Sequence, residues 1–313
     1  MRTITLGKTG ITVPQNAFGA LPIQRVSKEE AAHLLQCAYE GGMRYFDTAR
    51  AYSDSEEKIG YAFGMEGGLF KTGREHIFIA SKTHAQTPRE FQRDLETSLR
   101  MMNCGYIDVY QFHQMDTCWK PGDGTGMYEC MLEAKAEGKI RHYGFSFHDT
   151  PEVLDELLTK HPDVEFVQLQ INYADWENPR VQSRGCYETA VRHHKPVIVM
   201  EPVKGGTLAS PPKAAREMMK AADPEASYAS WAIRFAASLP GVMVVLSGMS
   251  DEKQTADNIS YMKNFQPLSE KEQEVIRSVQ KILAGSTRSR VPPAATVWRA
   301  ARKKSIFRAY SAR

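Results

Sequence analysis

The chain is poor in cysteine: Cys37, Cys104, Cys118, Cys130 and Cys186 are scattered over 313 residues and form no CxxC pair. That spacing excludes a disulfide scaffold, and no other stretch has metal-ligand spacing, so no metal site is expected. No apolar run approaches the roughly 18 residues of a membrane-spanning helix, and the opening MRTITLGKTG has no apolar export core. The expectation is a soluble cytoplasmic protein with no membrane partner. With 42% hydrophobic and 25% charged residues, disorder and collagen are excluded, and the length suits one large domain or two ordinary ones. Acidic residues are missing from one segment only. Residues 285–313 carry eight Lys/Arg and no Asp/Glu, so the net charge of +3 belongs to this tail and the body before it is mildly acidic. An acidic body argues against a specific nucleic-acid surface, although the tail can attract polyanions without sequence preference.

What is present is alternation. After a hairpin (Thr3 to Leu6 and Gly10 to Pro14), eight short apolar runs read as strands: Asn16 to Gly19, Arg44 to Asp47, His76 to Lys82, Ile107 to Phe112, Ile140 to Phe145, Phe166 to Gln170, Pro196 to Met200 and Val242 to Leu246. Stretches of helical period separate them, such as Lys28 to Tyr39 and Pro88 to Met101, the latter opening on proline. Eight strands alternating with helices predict an α/β fold, a (β/α)8 TIM barrel with an N-terminal β-hairpin over residues 1–284, followed by the basic tail 285–313. A doubly wound sheet would show an early GxGxxG, and none follows the first strand.

In such a barrel, function gathers at the C-terminal ends of the strands. Those ends read Gly19, Asp47, Lys82, His113, Ser146 with His148, Gln170, Glu201, and Ser247 with Gly248. Each has a bland reading alone: a helix cap, a snorkelling lysine, a satisfied histidine. Together, an Asp, a Lys and a His on consecutive strands, with Tyr52 five residues past Asp47, converge at one mouth. An ammonium beside a phenol is expected to lower the tyrosine pKa, so that Tyr52 protonates a carbonyl oxygen while hydride arrives at carbon and His113 orients the carbonyl. Trp119 and Tyr128 read equally well as a substrate-pocket wall or as core cover. Glu56 and Glu57 read as helix-start caps, and His193 and His194 as dipole complements at a helix end.

At these residues the chain resembles the aldo-keto reductases, from residue 1 to about 284. FDTARAYSDSEEKIG (Phe46 to Gly60), IASK and DVYQFH are similar to the family's catalytic signatures. The resemblance implies a tetrad in which Tyr52 donates the proton, Lys82 tunes it, Asp47 pairs with the lysine and His113 orients the substrate. It also implies nicotinamide-carboxamide contacts at Ser146 and Gln170 and a cofactor-lining Gly19. EPVKGG supplies a pyrophosphate loop at Glu201, Pro202, Val203, Lys204 and Gly206. SGMSDEKQTADNI supplies an adenosine-phosphate motif at Ser247, Gly248, Ser250, Gln254, Asp257 and Asn258. Three positions depart from the family pattern: Phe147 replaces a common asparagine, Met200 a stacking aromatic, and Gln254 a phosphate-binding arginine. Lys253 substitutes electrostatically for that arginine, which keeps NADP(H) preferred with NAD(H) as the alternative.

Through GFSFHD, NYADWENP, VMEPVKGGTL and SGMSDEKQTADNISYM, the chain is most similar to a bacterial subgroup whose members end in a ferredoxin-like segment that binds a 4Fe-4S cluster through CxxCxxCxxxCP. No cysteine follows Cys186, so the chain as written cannot build that cluster. Read one base out of frame, however, Arg290 through Arg308 can encode Cys-Thr-Ala-Cys-Arg-Tyr-Cys-Val-Glu-Gly-Cys-Pro-Lys-Lys-Ile-Asp-Ile-Pro. That is the expected run, and it points to a frameshift between about Gly285 and Arg290, against the alternative of a genuine basic tail. The leading functional expectation is an NAD(P)H-dependent reductase acting on a small-molecule carbonyl (aldehyde, ketone or quinone). The alternatives are an NADPH-binding regulatory or partner subunit with little turnover, and an electron-transfer reductase with a redox partner that needs the missing cluster.

Overall fold

The computed structural model describes residues 2–7, 9–116 and 124–287. Trp119, Cys118 and the out-of-frame run lie outside these residues. The hairpin pairs β1 (Thr3–Thr5) with β2 (Thr12–Pro14) antiparallel, Thr3 opposite Pro14. The barrel strands are β3 (Asn16–Gly19), β4 (Tyr45–Asp47), β5 (Phe78–Thr83), β6 (Ile107–Met115), β7 (Ile140–Phe147), β8 (Val167–Gln170), β9 (Val197–Met200) and β10 (Val242–Gly248). They form one closed barrel in sequence order, every pair parallel, with β10 closing onto β3 from Val245 opposite Asn16 to Gly248 opposite Gly19. This is the expected (β/α)8 barrel with its N-terminal hairpin. The eight expected strands are all present. β6 runs three residues beyond its expected end through a register shift after Phe112, and His76 instead belongs to a short 3-10 turn, Arg74–His76. The last helix, Glu270–Thr287, passes the expected boundary at 284.

Helix starts follow local chemistry. Ser27 and Glu30 form a reciprocal capping box before the helix Lys28–Glu40, and Thr87 accepts from the Glu90 amide ahead of Pro88 in the helix Pro88–Met102. The period-two alternation of each strand sorts its side chains. Phe46, Tyr110, Phe112, Val167 and Val199 pack outward against the helices, while Tyr45, Val109, Phe166, Ile198 and Val244 fill the barrel together with Leu6, Ile11 and Val13 of the hairpin region. An apolar plug therefore closes the N-terminal end of the barrel, and beyond it on β4, β6 and β8 the next inward residues, Asp47, Gln111 and Gln168, are polar. Gln111 donates to Gln168 across the interior at 3.0 Å. Above them the strands deliver Asp47, Lys82, His113, Ser146 and Gln170 to one end. Among the described residues, no helix is long and apolar enough to cross a membrane.

The helix Ser55–Phe63 packs so closely on Pro88–Met102 that a Cβ at Gly60 would lie 2.2 Å from the Met101 carbonyl oxygen. Backbone cannot yield as a flexible side chain does, so Gly60→Ala must push the helices apart. The expected loss is about 1–3 kcal/mol, read as a lowered denaturation midpoint. An unchanged midpoint would show that this contact tolerates a methyl group.

Candidate active site

Asp47 ends β4, opposite Ala80 of β5, and Lys82 stands two residues further along β5, on the same inward face. The lysine is fully buried, and its Nζ donates to Asp47 Oδ1 at 2.5 Å and to the Thr48 carbonyl at 2.7 Å. Burial pulls the lysine pKa down and the Asp47 carboxyl up, and the mutual attraction opposes both shifts. Asp47 Oδ2 is buried with no hydrogen-bond partner among the described residues.

Tyr52 lies in the turn between β4 and the helix Ser55–Phe63. Its amide donates to Ala49 O at 2.9 Å, and its carbonyl accepts from the Ser55 amide at 2.8 Å. The turn is pinned from below: Thr48 Oγ1 donates to Ser55 Oγ, which donates to Ala20 O, and the Arg50 amide donates to Lys82 O at 3.0 Å. Lys82 Nζ is 5.3 Å from the centroid of the Tyr52 ring, whose edge-on neighbour at 5.5 Å is His113. The structure therefore brings the four expected side chains together. It contradicts the expectation for the phenol pKa. Burial, then the negative charges of Asp47 and Glu201, push Tyr52 above the ordinary phenol range.

His113 is displaced the other way. Burial, then Lys82, then the imidazoles of His84 and His148 hold it well below the ordinary histidine range, so it is neutral at pH 7. The His84 ring stacks on it at 4.3 Å and 23°, and His84 Nε2 is 3.2 Å from Gln114 Oε1. Gln114 takes a positive φ of 58° where β6 shifts register, and its amide donates to Ser146 Oγ at 2.8 Å.

The residues expected around a cofactor lie on the neighbouring strand ends. Gly19 and Gly248 are paired, and a Cβ at Gly248 would come within 2.8 Å of the Pro22 ring, so the close packing of Pro22 requires glycine there. In the loop after β9, Glu201, Lys204, Gly205 and Gly206 all have positive φ, and Lys204 pairs with Asp175. Around Gly205 and Gly206 no atom lies within 4 Å of an added Cβ, and Pro202 and Val203 connect them to β9. Beyond Ser247, the Ser250 amide donates to Gln254 Oε1 at 2.9 Å and Asp251 caps the helix Glu252–Lys263. One turn deeper, Asp257 accepts from Ser227 Oγ at 2.7 Å, while Asn258 is buried between Gln254 O and the Tyr261 hydroxyl.

Sequence reasoning missed several members of this end of the barrel. Glu56 is not a solvated cap but a buried carboxylate, pairing with Arg50 and accepting from Ser81 Oγ at 2.6 Å beneath the Tyr52 turn. Glu57 pairs with Lys28 at 2.5 Å. His84 was legible in principle, since it follows Lys82 at the strand period of two. Tyr128 packs edge-on against core Phe112 and stacks on His161 at 3.6 Å, which is the core reading. His193 caps the end of the helix Ser183–Arg192 and lies 2.7 Å from Asp155.

Comparison with known proteins places this geometry. An aldo-keto reductase from Klebsiella pneumoniae in complex with NADPH superposes with a TM-score of 0.72 at 20% identity, covering 89% of this chain and 95% of that one; at such identity the likeness is one of fold. The oxidoreductase YqkF of Bacillus subtilis is 24% identical over 314 residues, 90% of this chain and 97% of its own length. The 7-acetyl-epi-neemfruitin B aldo-keto reductase of Melia azedarach is 30% identical over 175 residues, so the chain spans about half the length of that relative, 52%. The model described as "Aldo/keto reductase family" matches residues 15–281, nearly the whole barrel. On that match the chain belongs to the aldo/keto reductase family.

Proposed function

We propose that the protein is an NADPH-dependent reductase that converts the carbonyl of a small molecule to an alcohol. The observation that carries this reading is the convergence of Asp47, Tyr52, Lys82 and His113 at the C-terminal mouth of the barrel. A dinucleotide fits the adjoining strand ends on three observations: the open left-handed backbone at Gly205 and Gly206, the side-chain-free edge at Gly19 and Gly248, and the amide-rich start of the helix Glu252–Lys263. Ser146 and Gln170 would hold the nicotinamide end, Lys204 the pyrophosphate and Lys253 the adenosine phosphate. A bound reduced nicotinamide supplies the hydride.

The protein's own part is proton supply and orientation. With its pKa raised, Tyr52 stays protonated through the neutral range and is loaded as a general acid. As negative charge grows on the substrate oxygen, a phenol proton can transfer to it. Lys82, held charged by Asp47, stabilises the phenolate that remains. Neutral His113 donates a hydrogen bond to the same oxygen without itself giving up a charge-compensating proton.

Tyr52→Phe is expected to lower kcat by at least about 100-fold while NADPH binding, read by fluorescence quenching, changes by less than about twofold. Turnover close to wild type would remove Tyr52 from the proton-donor role. Cofactor binding without turnover in the wild type, against a panel of aldehydes, ketones and quinones, would support the regulatory-subunit reading instead. Lys253 supplies the cationic charge near the adenosine phosphate. Accordingly, Lys253→Glu should raise KM for NADPH about tenfold and leave KM for NADH nearly unchanged; equal shifts would assign Lys253 no part in choosing between them.

A third test uses the neutrality of His113. Because its folded-state pKa is depressed, the unfolded chain binds this proton first as pH falls below about 6.5, so the contribution to stability is full above that pH and declines on acidification. Denaturant titrations at pH 7.5 and 5.5 should show a smaller acid loss for His113→Asn than for wild type. Identical losses would mean that His113 is solvated and titrates normally.

A further inference from the structure

Asp175 takes no part in the proton chemistry, yet it is fully buried and every polar atom it presents is engaged. Its Oδ2 accepts from Gln170 Nε2 at 3.0 Å and from Asn172 Nδ2 at 2.9 Å, and its Oδ1 accepts from the Lys204 ammonium. Its amide donates to Asn172 Oδ1 at 2.9 Å, and Asn172 Nδ2 also donates to the Glu201 carbonyl at 3.2 Å. One carboxylate thus ties the end of β8 to the left-handed loop after β9. Burying such a charge is unfavourable unless an ion pair and hydrogen bonds compensate it, and here Lys204, Gln170 and Asn172 do so.

The consequence for Gln170 is directional. An amide side chain has one donor end and one acceptor end, and a carboxylate accepts only from the donor end. With Nε2 against Asp175, Gln170 must turn Oε1 away from that carboxylate. A flipped amide would set two acceptors against each other. An outward acceptor recognises an N–H donor and repels an anionic oxygen.

We infer that Asp175 is a positioning residue that presents Gln170 as a hydrogen-bond acceptor, so that the site takes a pyridine carboxamide and discriminates against the corresponding pyridine carboxylate, while the same carboxylate holds Lys204 at the phosphate loop. The inference rests on the cofactor reading above and deepens it.

The test compares equilibrium binding of NADP+ with that of its nicotinic acid analogue, both by protein fluorescence and neither dependent on turnover. Wild type is expected to bind NADP+ at least about tenfold more tightly than the analogue, the scale of one hydrogen bond to a charged group. Asp175→Asn should weaken NADP+ binding and shrink the preference severalfold, because an asparagine amide can face Gln170 with either end. Gln170→Ala should lose the preference, and adding Asp175→Asn to it should not change the ratio further. If Asp175→Asn fails to fold because Lys204 is left without its partner, Asp175→Asn with Lys204→Met removes both charges and the ratio is read there. An undiminished preference in a folded Asp175 variant overturns the role of Asp175 alone. Failure of the wild type to bind NADP+ at all overturns the cofactor reading and this inference with it.

Discussion

A lysine with no exposed surface, 2.5 Å from an aspartate that is itself almost fully buried, is the constraint around which this barrel is arranged. Removing either partner would strand a charge in the interior, which is far costlier than leaving the pair intact. The apolar plug of Tyr45, Val109, Phe166, Ile198 and Val244 beneath it excludes water from below, and the hairpin residues Leu6, Ile11 and Val13 seal that plug. The Thr48 carbonyl supplies the second acceptor of the ammonium, so the charge is held by both backbone and side chain at the strand ends.

That pair organises the groups around it. With burial, the Asp47 charge helps keep the Tyr52 phenol protonated, the Lys82 charge helps keep His113 neutral, and the Lys82 carbonyl anchors the turn that carries Tyr52. Glu56, Arg50 and Ser81 brace the outer side of the same turn. Across the mouth, a second buried carboxylate, Asp175, does comparable work for the loop carrying Lys204. Two buried acids, each with a lysine, thus stand on opposite sides of one opening, one beside the reacting phenol and one beside the groups assigned to the dinucleotide.

The architecture was legible because its signals are periodic and local. Apolar strand residues recur with a period of two, Pro88 and Ser27 mark helix starts, and a polar or small residue lies at or next to most barrel strand ends. Asp47, Lys82 and His113 could be placed at one mouth from topology alone, since consecutive parallel strands must be neighbours. Asp175 and Glu56 were not legible as buried hubs: each lies outside the strands, amid polar residues, and only the fold brings Lys204 or Ser81 to it. The direction of the Tyr52 shift is not legible for a related reason: sequence places a lysine and its aspartate near the phenol, but not how completely the fold buries that phenol, and burial is the main cause of the upward shift.

The most direct measurement follows the hydrogen itself. Protein supplied with NADPH deuterated at the transferable position of nicotinamide C4 should yield, from an activated aldehyde, an alcohol with one deuterium on the former carbonyl carbon, detected by mass spectrometry. An alcohol that forms with solvent hydrogen at that carbon would contradict direct hydride transfer at the Tyr52 mouth and point instead to stepwise electron transfer.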